Sequence, residues 1–337
     1  MKAWTLTDFG IDNLTRSDVP TPEPGPRELL VEVGAVSLNF RDKAIAEGLY
    51  EPGRMPKGLI PVSDAAGRIV QIGTDVTRWA VGDRVVSHLY SGWRDGAAGR
   101  DEGARALGGP LDGGLAEYMV LEADSVVAAP AAMTDVQAAT LPIAALTAWF
   151  ALVEYGNLQA ADTVLTQGTG GLSLFAIQLA SALGARVIAT SSSDDKLAHA
   201  VALGAAETIN YRTTPAWDQE ARALTDGRGV DHVLDVVGGD SLDRSIAASR
   251  VGGRVTVAGF IDGQRSSIDL MSVIFGRTRL QGIAVGHLRA FERLIAFLDR
   301  HAIEPVIDAV YGFEDAREAF AHLDRGPFGK VAIAVQG

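Results

Sequence analysis

The segment 162–196 constrains the fold of this chain more than any other stretch, because it predicts a strand, a glycine turn, a helix and a second strand. Thr163–Gln167 is short and rich in β-branched residues, which favours a strand, and Leu172–Leu183 is an apolar stretch of helical length. Gly184 ends that helix, and Ala185–Thr190 predicts the second strand. A crossover helix between two strands favours a parallel sheet.

Three glycines, Gly168, Gly170 and Gly171, lie between the first strand and the helix. Their backbone can approach a pyrophosphate closely, and the helix N-terminus offers free N–H groups and the positive end of its dipole. Ser173 stands where the third glycine of the G-x-G-x-x-G pattern is usual. The interpretation therefore depends on the strand–helix–strand order around the motif. We favour a dinucleotide site over a glycine-rich turn that binds nothing.

The residues after the second strand predict which dinucleotide is bound. An NAD-type site has Asp or Glu about 20 residues beyond the glycines, where it accepts from the ribose hydroxyls. Here that distance falls on Thr190 and Ser191, with Lys196 following. Hydroxyl groups and a cation suit a 2′-phosphate, so we expect the cofactor to be NADPH, with Tyr211 as a further donor. The alternative role of Ser193 is to cap the next helix, and the two roles are compatible.

Composition limits the remaining possibilities. The 337 residues suffice for about two domains, and the formal net charge of −12 disfavours nucleic-acid and anionic membrane partners. The chain has no cysteine, which excludes disulfides and thiolate zinc ligands and fits a reducing cytoplasm. No secretory signal is visible, so we expect a cytoplasmic location. The longest apolar run, Ala138–Val153, contains Pro142 and predicts a buried helix rather than a membrane span.

The chain changes character along its length. The first part is β-rich and full of Gly and Pro, whereas strands and helices alternate further on, with strands expected at 163–167, 186–190, 206–210, 231–236, 253–259 and 279–285. The last part predicts two amphipathic helices and a strand, Lys330–Val335, that returns to the first domain. We therefore expect a β-rich domain over 1–127, a doubly wound domain over 128–286, and a segment completing the first over 287–337, with the ligand cleft between domains.

Several different short motifs are distributed along the chain: Asn39-Phe40-Arg41-Asp42, Gly48-Leu49-Tyr50, Val81-Gly82-Asp83-Arg84-Val85, Gly113-Gly114-Leu115-Ala116-Glu117-Tyr118, Ala145-Leu146-Thr147-Ala148-Trp149 and Val251-Gly252-Gly253-Arg254-Val255. With the glycine turn, they resemble the zinc-free, quinone oxidoreductase-like branch of the medium-chain dehydrogenase/reductases. An insert, Tyr90–Pro110, is similar to a bacterial subgroup described as NAD(P)-dependent alcohol dehydrogenases. The resemblance implies an α/β fold with a GroES-like catalytic domain and a Rossmann domain, paired as a homodimer through the edge of the Rossmann sheet.

The resemblance also implies roles for individual residues. The catalytic set is Asn39, Tyr50 and Asp42, of which Asn39 lies beside the nicotinamide and the substrate carbonyl, Tyr50 lines the substrate pocket, and Asp42 supports their loop. Simple turn and cap roles for Asn39 and Asp42, and plain packing for Tyr50, remain alternatives. The implied cofactor-binding residues are Asn39, Thr147, Gly168, Thr169, Gly170, Gly171, Leu172, Ser191, Ser192, Lys196, Tyr211, Gly259, Phe260, Ile261 and Val285.

We expect no metal site. The zinc branch places a Gly-His-Glu triplet near residues 63–65, where this chain has Ser63-Asp64-Ala65, and the histidines show no ligand spacing. Without a metal, an electron-poor quinone or α,β-unsaturated carbonyl is the easier acceptor, since it needs only hydride and a donor to the oxyanion. We therefore expect an NADPH-dependent reductase of such a small molecule. The alternatives are an alcohol or aldehyde oxidoreductase, and a non-catalytic NADPH sensor or partner-binding protein.

Overall fold

The structure, a computed structural model, describes residues 1–99 and 102–336. It divides into two compact units, the first made of residues 1–146 together with the chain from His287 onward, and the second of Thr147–Gly286. The predicted second domain begins at 128, whereas the structure joins 128–146 to the first unit. The reason is local: Arg84 Nε donates to Asp135 Oδ1 at 3.0 Å, and the Ile143 N–H to Asp64 Oδ2 at 3.4 Å.

The strands are β1 (Lys2–Leu6), β2 (Leu14–Asp18), β3 (Glu28–Leu38), β4 (Asp64–Ile72), β5 (Arg84–Ser87), β6 (Tyr118–Glu122), β7 (Val126–Ala128), β8 (Thr163–Gln167), β9 (Arg186–Ser191), β10 (Glu207–Asn210), β11 (Val230–Asp235), β12 (Ser249–Val257), β13 (Arg279–Gly282), β14 (Ile307–Gly312) and β15 (Lys330–Ala334).

The α-helices are α1 (Phe40–Ala46), α2 (Asp135–Ala138), α3 (Leu146–Trp149), α4 (Gly171–Ala182), α5 (Asp194–Ala202), α6 (Trp217–Ala223), α7 (Ser241–Ala248), α8 (Leu270–Gly276), α9 (Leu288–His301) and α10 (Ala316–Leu323). Two π-helical turns lie at Leu141–Ala145 and Phe150–Glu154, and 3₁₀ turns at Ile11–Asn13, Pro52–Arg54, Glu102–Arg105 and Phe313–Asp315.

The first unit is built on a β-sheet with the strand order β14-β15-β3-β4-β5-β7, with β6 also paired to β3. The long strand β3 lies at the centre and pairs antiparallel with β4, β6 and β15. The return of the last strand to the first domain is therefore confirmed, with Ile333 opposite Val36. Buried side chains such as Leu14, Leu29 and Leu115 form the core of this unit, as the GroES-like expectation requires.

The second unit has a parallel sheet with the order β10-β9-β8-β11-β12-β13 among the described residues. This is the doubly wound order, in which the strand sequence reverses beside β8, and ligands bind such sheets at the carboxyl ends of the strands near that point. Every residue of β8 is buried, as expected for a strand covered on both faces. The predicted Rossmann domain is confirmed.

Most strand predictions hold to within a few residues, and the bounds of two strands differ. The strand predicted over 279–285 stops at Gly282. Val285 has a positive φ of 72°, which strand backbone does not adopt. The strand predicted over 253–259 ends at Val257 and begins earlier, at Ser249.

The apolar run predicted as a buried helix lies within a helical stretch, Asp135–Glu154. It is the one helix among the described residues that is long and apolar enough to cross a membrane, and most of its apolar window is buried inside the protein. Pro142 has no N–H to donate, and it lies in the first of the two π-helical turns.

Candidate active site

The predicted pyrophosphate turn faces open space. Gly168 has a positive φ of 72°, and Gly170 is the N-cap of α4. A Cβ atom added at either glycine would meet no heavy atom within 4 Å. Because Gly170 has no side chain, no side-chain oxygen of the cap competes for the first N–H groups of α4. The turn therefore leaves room and donors for an anion at the carboxyl end of β8.

Ser173, at the position where a third glycine is usual, bonds the helix to the preceding strand. The side chain is buried, and its Oγ donates to the Gln167 main-chain oxygen at 2.7 Å. This bond connects the first turn of α4 to the last residue of β8. The serine thus contributes the close helix–strand packing for which the third glycine is usually needed.

A buried polar network that the sequence reasoning missed lies beneath the turn. Gln167 Nε2 donates to Ser241 Oγ at 3.1 Å and to Ser245 Oγ at 2.9 Å. Ser245 Oγ donates in turn to Asp235 Oδ2 at 2.6 Å, and the N–H of Val236 donates to Gln167 Oε1 at 3.2 Å. The ends of β8 and β11 are therefore fixed to each other by satisfied hydrogen bonds.

The residues predicted for the 2′-phosphate lie at or after the carboxyl ends of β9 and β10 in the same sheet. Ser191 ends β9, and its main-chain oxygen accepts from the Tyr211 N–H at 3.1 Å. Ser193 Oγ accepts from the Lys196 N–H at 3.4 Å, so it caps α5 and places Lys196 in the first turn of that helix. The capping role of Ser193 is confirmed. Ser192 lies in the chain between Ser191, which ends β9, and Ser193, which caps α5.

The loop predicted to border the nicotinamide follows β12. A Cβ on Gly259 would lie 2.2 Å from the Val236 main-chain oxygen, so only glycine allows this loop to pass so close to the end of β11. Phe260 and Ile261 come next, and Ile261 is exposed. Val285 is buried at its strained positive φ, a conformation that often marks a functional site. Thr147, in α3 of the same unit, is also buried.

The first unit contains the predicted catalytic set around the N-terminus of α1. The Asp42 carboxylate is fully buried; its Oδ2 accepts from the Asn39 N–H at 2.8 Å, and its Oδ1 from the Ser63 N–H at 3.0 Å and from Ser63 Oγ at 3.1 Å. Asp42 therefore connects the start of α1 to the segment before β4. Val62, the neighbour of Ser63, is a second valine with positive φ, at 74°.

The Asn39 side chain is held at both ends. Lys330 Nζ donates to Asn39 Oδ1 at 2.6 Å and to the Leu38 main-chain oxygen at 2.8 Å, and Asn39 Nδ2 donates to Asp64 Oδ2 at 2.9 Å. Asp64 and Lys330 are 0% and 3% exposed. Burial raises the pKa of Asp64 to about 7, against the attraction of Lys330, and burial lowers the pKa of Lys330. Sequence reasoning noticed Asp64 only as a departure from the zinc pattern, and it missed Lys330.

Tyr50 is half-buried beside Arg41. The Arg41 guanidinium carbon lies 5.4 Å from the centre of the Tyr50 ring, within cation–π range. Arg41 also donates to Ser63 Oγ, and at 3.0 Å to the Leu107 main-chain oxygen. The loop that carries Tyr50 is therefore in contact with Arg41, which belongs to the same motif as Asn39 and Asp42.

The described part of the insert is anchored on α9. His287 Nδ1 accepts from the Ala290 N–H at 2.9 Å and caps this helix, and the Trp93 ring packs edge-on against His287 at 5.9 Å between centroids. The Leu288 N–H donates to the Trp93 main-chain oxygen at 3.0 Å. Trp93 is buried.

Comparisons with known proteins match this architecture. A family model described as "Alcohol dehydrogenase GroES-like domain" matches residues 25–131, and one described as "Zinc-binding dehydrogenase" matches 171–300. A zinc-type alcohol dehydrogenase-like protein of Schizosaccharomyces pombe is 38% identical over 97% of this chain and 96% of its own length. The chain belongs to the medium-chain dehydrogenase/reductase family.

Within this family the chain is of the quinone oxidoreductase-like kind. A quinone oxidoreductase of Pseudomonas aeruginosa is 34% identical over 77% of this chain and 74% of its own length. A solved structure from Sinorhizobium meliloti 1021, of an alcohol dehydrogenase candidate, has a TM-score of 0.92 at 43% identity and covers 99% of this chain and 98% of its own.

The name of the second family model implies zinc, and the donor set at hand does not fit it. Among residues 1–99 and 102–336, no three His, Cys, Asp or Glu side chains are grouped as a metal site. The carboxylates near the expected position already accept from protein groups, Asp42 from Ser63 and Asp64 from Asn39. The Lys330 ammonium, 3.8 Å from Asp64, is the cation there.

Proposed function

We propose that this medium-chain oxidoreductase is an NADPH-dependent, zinc-independent reductase of a small conjugated carbonyl compound or quinone. The observation that supports it best is the Asn39 amide, held by buried charged partners at a half-exposed helix N-terminus in a chain without thiolate ligands. An acceptor that is already electron-poor needs no Lewis acid. It needs a correctly placed hydride donor and a hydrogen-bond donor for the oxygen that becomes negative.

The residues of each unit have distinct tasks in this proposal. The turn at Gly168–Gly171 binds the pyrophosphate, and Ser191, Ser192 and Lys196 bind the 2′-phosphate, which gives the preference for NADPH. The cofactor supplies hydride when it is bound. Asn39 donates an amide N–H to the carbonyl oxygen of the acceptor, and Tyr50 lines the pocket and offers its hydroxyl to the same oxygen.

A specific comparison favours a second candidate, an NAD(P)-dependent alcohol or aldehyde oxidoreductase. The relative from Schizosaccharomyces pombe is described as alcohol dehydrogenase-like, and the same donors could orient an aldehyde. Product analysis with an enone separates the two, because a saturated ketone supports the first candidate and an allylic alcohol the second.

The decisive experiment is oxidation of NADPH and NADH by the purified protein with quinones, enones, aldehydes and ketones, with and without a chelator. We expect turnover of quinones or enones with NADPH that the chelator leaves unchanged. Loss of activity on chelation would overturn the zinc-independent assignment. Tight NADPH binding without turnover across the whole panel would instead support a non-catalytic sensor or partner-binding protein.

We further propose that the protein is a cytoplasmic homodimer that acts on a small molecule and binds neither nucleic acid nor membranes. Support for the dimer comes from α8, which precedes the edge strand β13 in the chain and exposes Leu270, Ile274 and Phe275 at 65%, 62% and 71%. Phe275→Glu should produce monomers in sedimentation velocity, whereas the control Val251→Glu, at an exposed valine of β12, should not. A monomeric wild-type protein would refute this arrangement.

A further inference from the structure

We infer that Lys330 and Asp64 are positioning residues that fix the orientation of the Asn39 amide and thereby aim its N–H at the substrate oxygen. The inference rests on the proposed function, because it assigns a task to two buried residues through the side chain that contacts substrate there. Lys330 and Asp64 are 3% and 0% exposed, whereas Asn39 is half-exposed. Only Asn39 is placed to touch a ligand.

The chemistry of the two partners permits one orientation of the amide. A lysine ammonium can only donate hydrogen bonds, so it must face Asn39 Oδ1, which it does at 2.6 Å. This leaves Asn39 Nδ2 facing Asp64 Oδ2, which accepts from it at 2.9 Å. Turning the amide over would set N–H against ammonium and oxygen against carboxylate, and both hydrogen bonds would be lost.

One amide hydrogen remains for a ligand. The Nδ2 group carries two hydrogens, and the first is directed to Asp64. Its second contact is a long one, 3.4 Å to Asp42 Oδ2, an atom that already accepts from the Asn39 main-chain N–H at 2.8 Å. A carbonyl oxygen of the substrate can replace this weak bond without disturbing the two strong ones.

A purely structural role fits the cluster poorly. Lys330 Nζ and Asp64 Oδ2 are 3.8 Å apart, too far for a hydrogen bond, so the Asn39 amide bridges them. Asp64 Oδ1 is buried without a hydrogen-bond partner among the described residues. Apolar residues of similar size would fill this space without that desolvation penalty, so the charges are best explained by what they do to Asn39.

A double-mutant cycle tests the inference. The variants are Lys330→Met, Lys330→Arg, Asn39→Ala and the double variant Lys330→Met/Asn39→Ala, with thermal unfolding measured for each. The pair Lys330→Met/Asp64→Asn, which removes both buried charges together, replaces Lys330→Met if that variant does not fold. For each folded variant, kcat and KM are measured with NADPH and the best acceptor of the wild-type protein.

We expect Lys330→Met or the charge-free pair to lower kcat by at least about tenfold, as for loss of an oxyanion donor, while KM for NADPH changes by less than about threefold. Lys330→Arg should restore most of kcat. In the Asn39→Ala background, Lys330→Met should have almost no further effect on kcat.

The outcomes separate the inference from the proposed function. If wild-type protein turns over no acceptor, the proposed function fails and the inference fails with it. If wild-type protein is active, and a folded Lys330→Met or charge-free variant keeps full kcat, only the inference is refuted. Effects of Lys330→Met and Asn39→Ala that multiply, rather than overlap, would likewise overturn it, since they would show that Lys330 acts independently of Asn39.

Discussion

The substitution Gly170→Ala separates the binding role of the glycine turn from its folding role. Gly170 has φ −78° and ψ 174°, an extended backbone that any residue adopts, and an added Cβ would meet nothing within 4 Å. Alanine restricts the unfolded chain, which stabilises by about 0.4–1 kcal/mol. Alanine is a poorer N-cap than glycine by a similar amount. The unfolding free energy should therefore change by less than about 1 kcal/mol.

Binding should respond very differently. The added methyl group would stand in the space that a phosphate needs to reach the N-terminus of α4. Loss of one hydrogen bond to a charged group costs about 1.5–3 kcal/mol, which corresponds to about tenfold to 150-fold in Kd. Because the pyrophosphate is common to both dinucleotides, the affinities for NADPH and NADH should fall by the same factor.

Titration followed by the fluorescence of the reduced nicotinamide measures both affinities, and thermal unfolding measures stability. Gly168→Ala is the contrasting variant, because its positive φ of 72° makes alanine cost about 1–2 kcal/mol of stability. Unchanged affinity for both dinucleotides in a stable Gly170→Ala protein would refute the assignment of this turn as the pyrophosphate site. A large loss of stability would refute the inference that the site is open.

Three further predictions follow from other residues. Lys196→Ala should weaken NADPH binding by about tenfold or more and leave NADH binding nearly unchanged, with Arg300→Ala as a charge-matched control; equal effects would reject the phosphate site. Asp64 keeps its proton up to about pH 7 when folded but loses it near 3.8 when unfolded, so the folded state binds more protons in this window. Wild-type stability should therefore fall relative to Asp64→Asn as the pH rises toward 7, and parallel curves would contradict this. His287→Ala should cost about 0.5–2 kcal/mol in thermal unfolding, and His287→Asn, which can still cap α9, clearly less; equal losses would show that the cap contributes little.

Local patterns predicted the second unit well. The strand Thr163–Gln167 has the predicted bounds, and α4 begins one residue before the predicted start, at Gly171. Hydrophobic runs, glycine turns and caps act over a few residues, so a single sequence displays them directly. The end of β13 was predicted at 285 instead of 282, because nothing in the local sequence indicates the positive φ of Val285.

The contacts around Asn39 could not be predicted in this way. In the sequence, Lys330 is an ordinary charged residue at the start of a predicted strand, and a lysine in such a position is usually exposed. Its burial arises because β15 pairs with β3, which brings residues almost 300 positions apart in sequence into hydrogen-bond contact. Asp64 is likewise unremarkable in sequence, and its raised pKa is caused by burial that only the folded chain creates.

The position of β15 between β14 and β3 has a consequence for biosynthesis. The second unit is one continuous stretch, Thr147–Gly286, and can fold on the ribosome as soon as it emerges. The sheet of the first unit stays open along one side of β3 until residues 330–334 are translated. The Asn39 amide gains its ammonium partner only at that moment, so a nascent chain that ends before β15 already has its glycine turn but lacks the bond from Lys330 to Asn39.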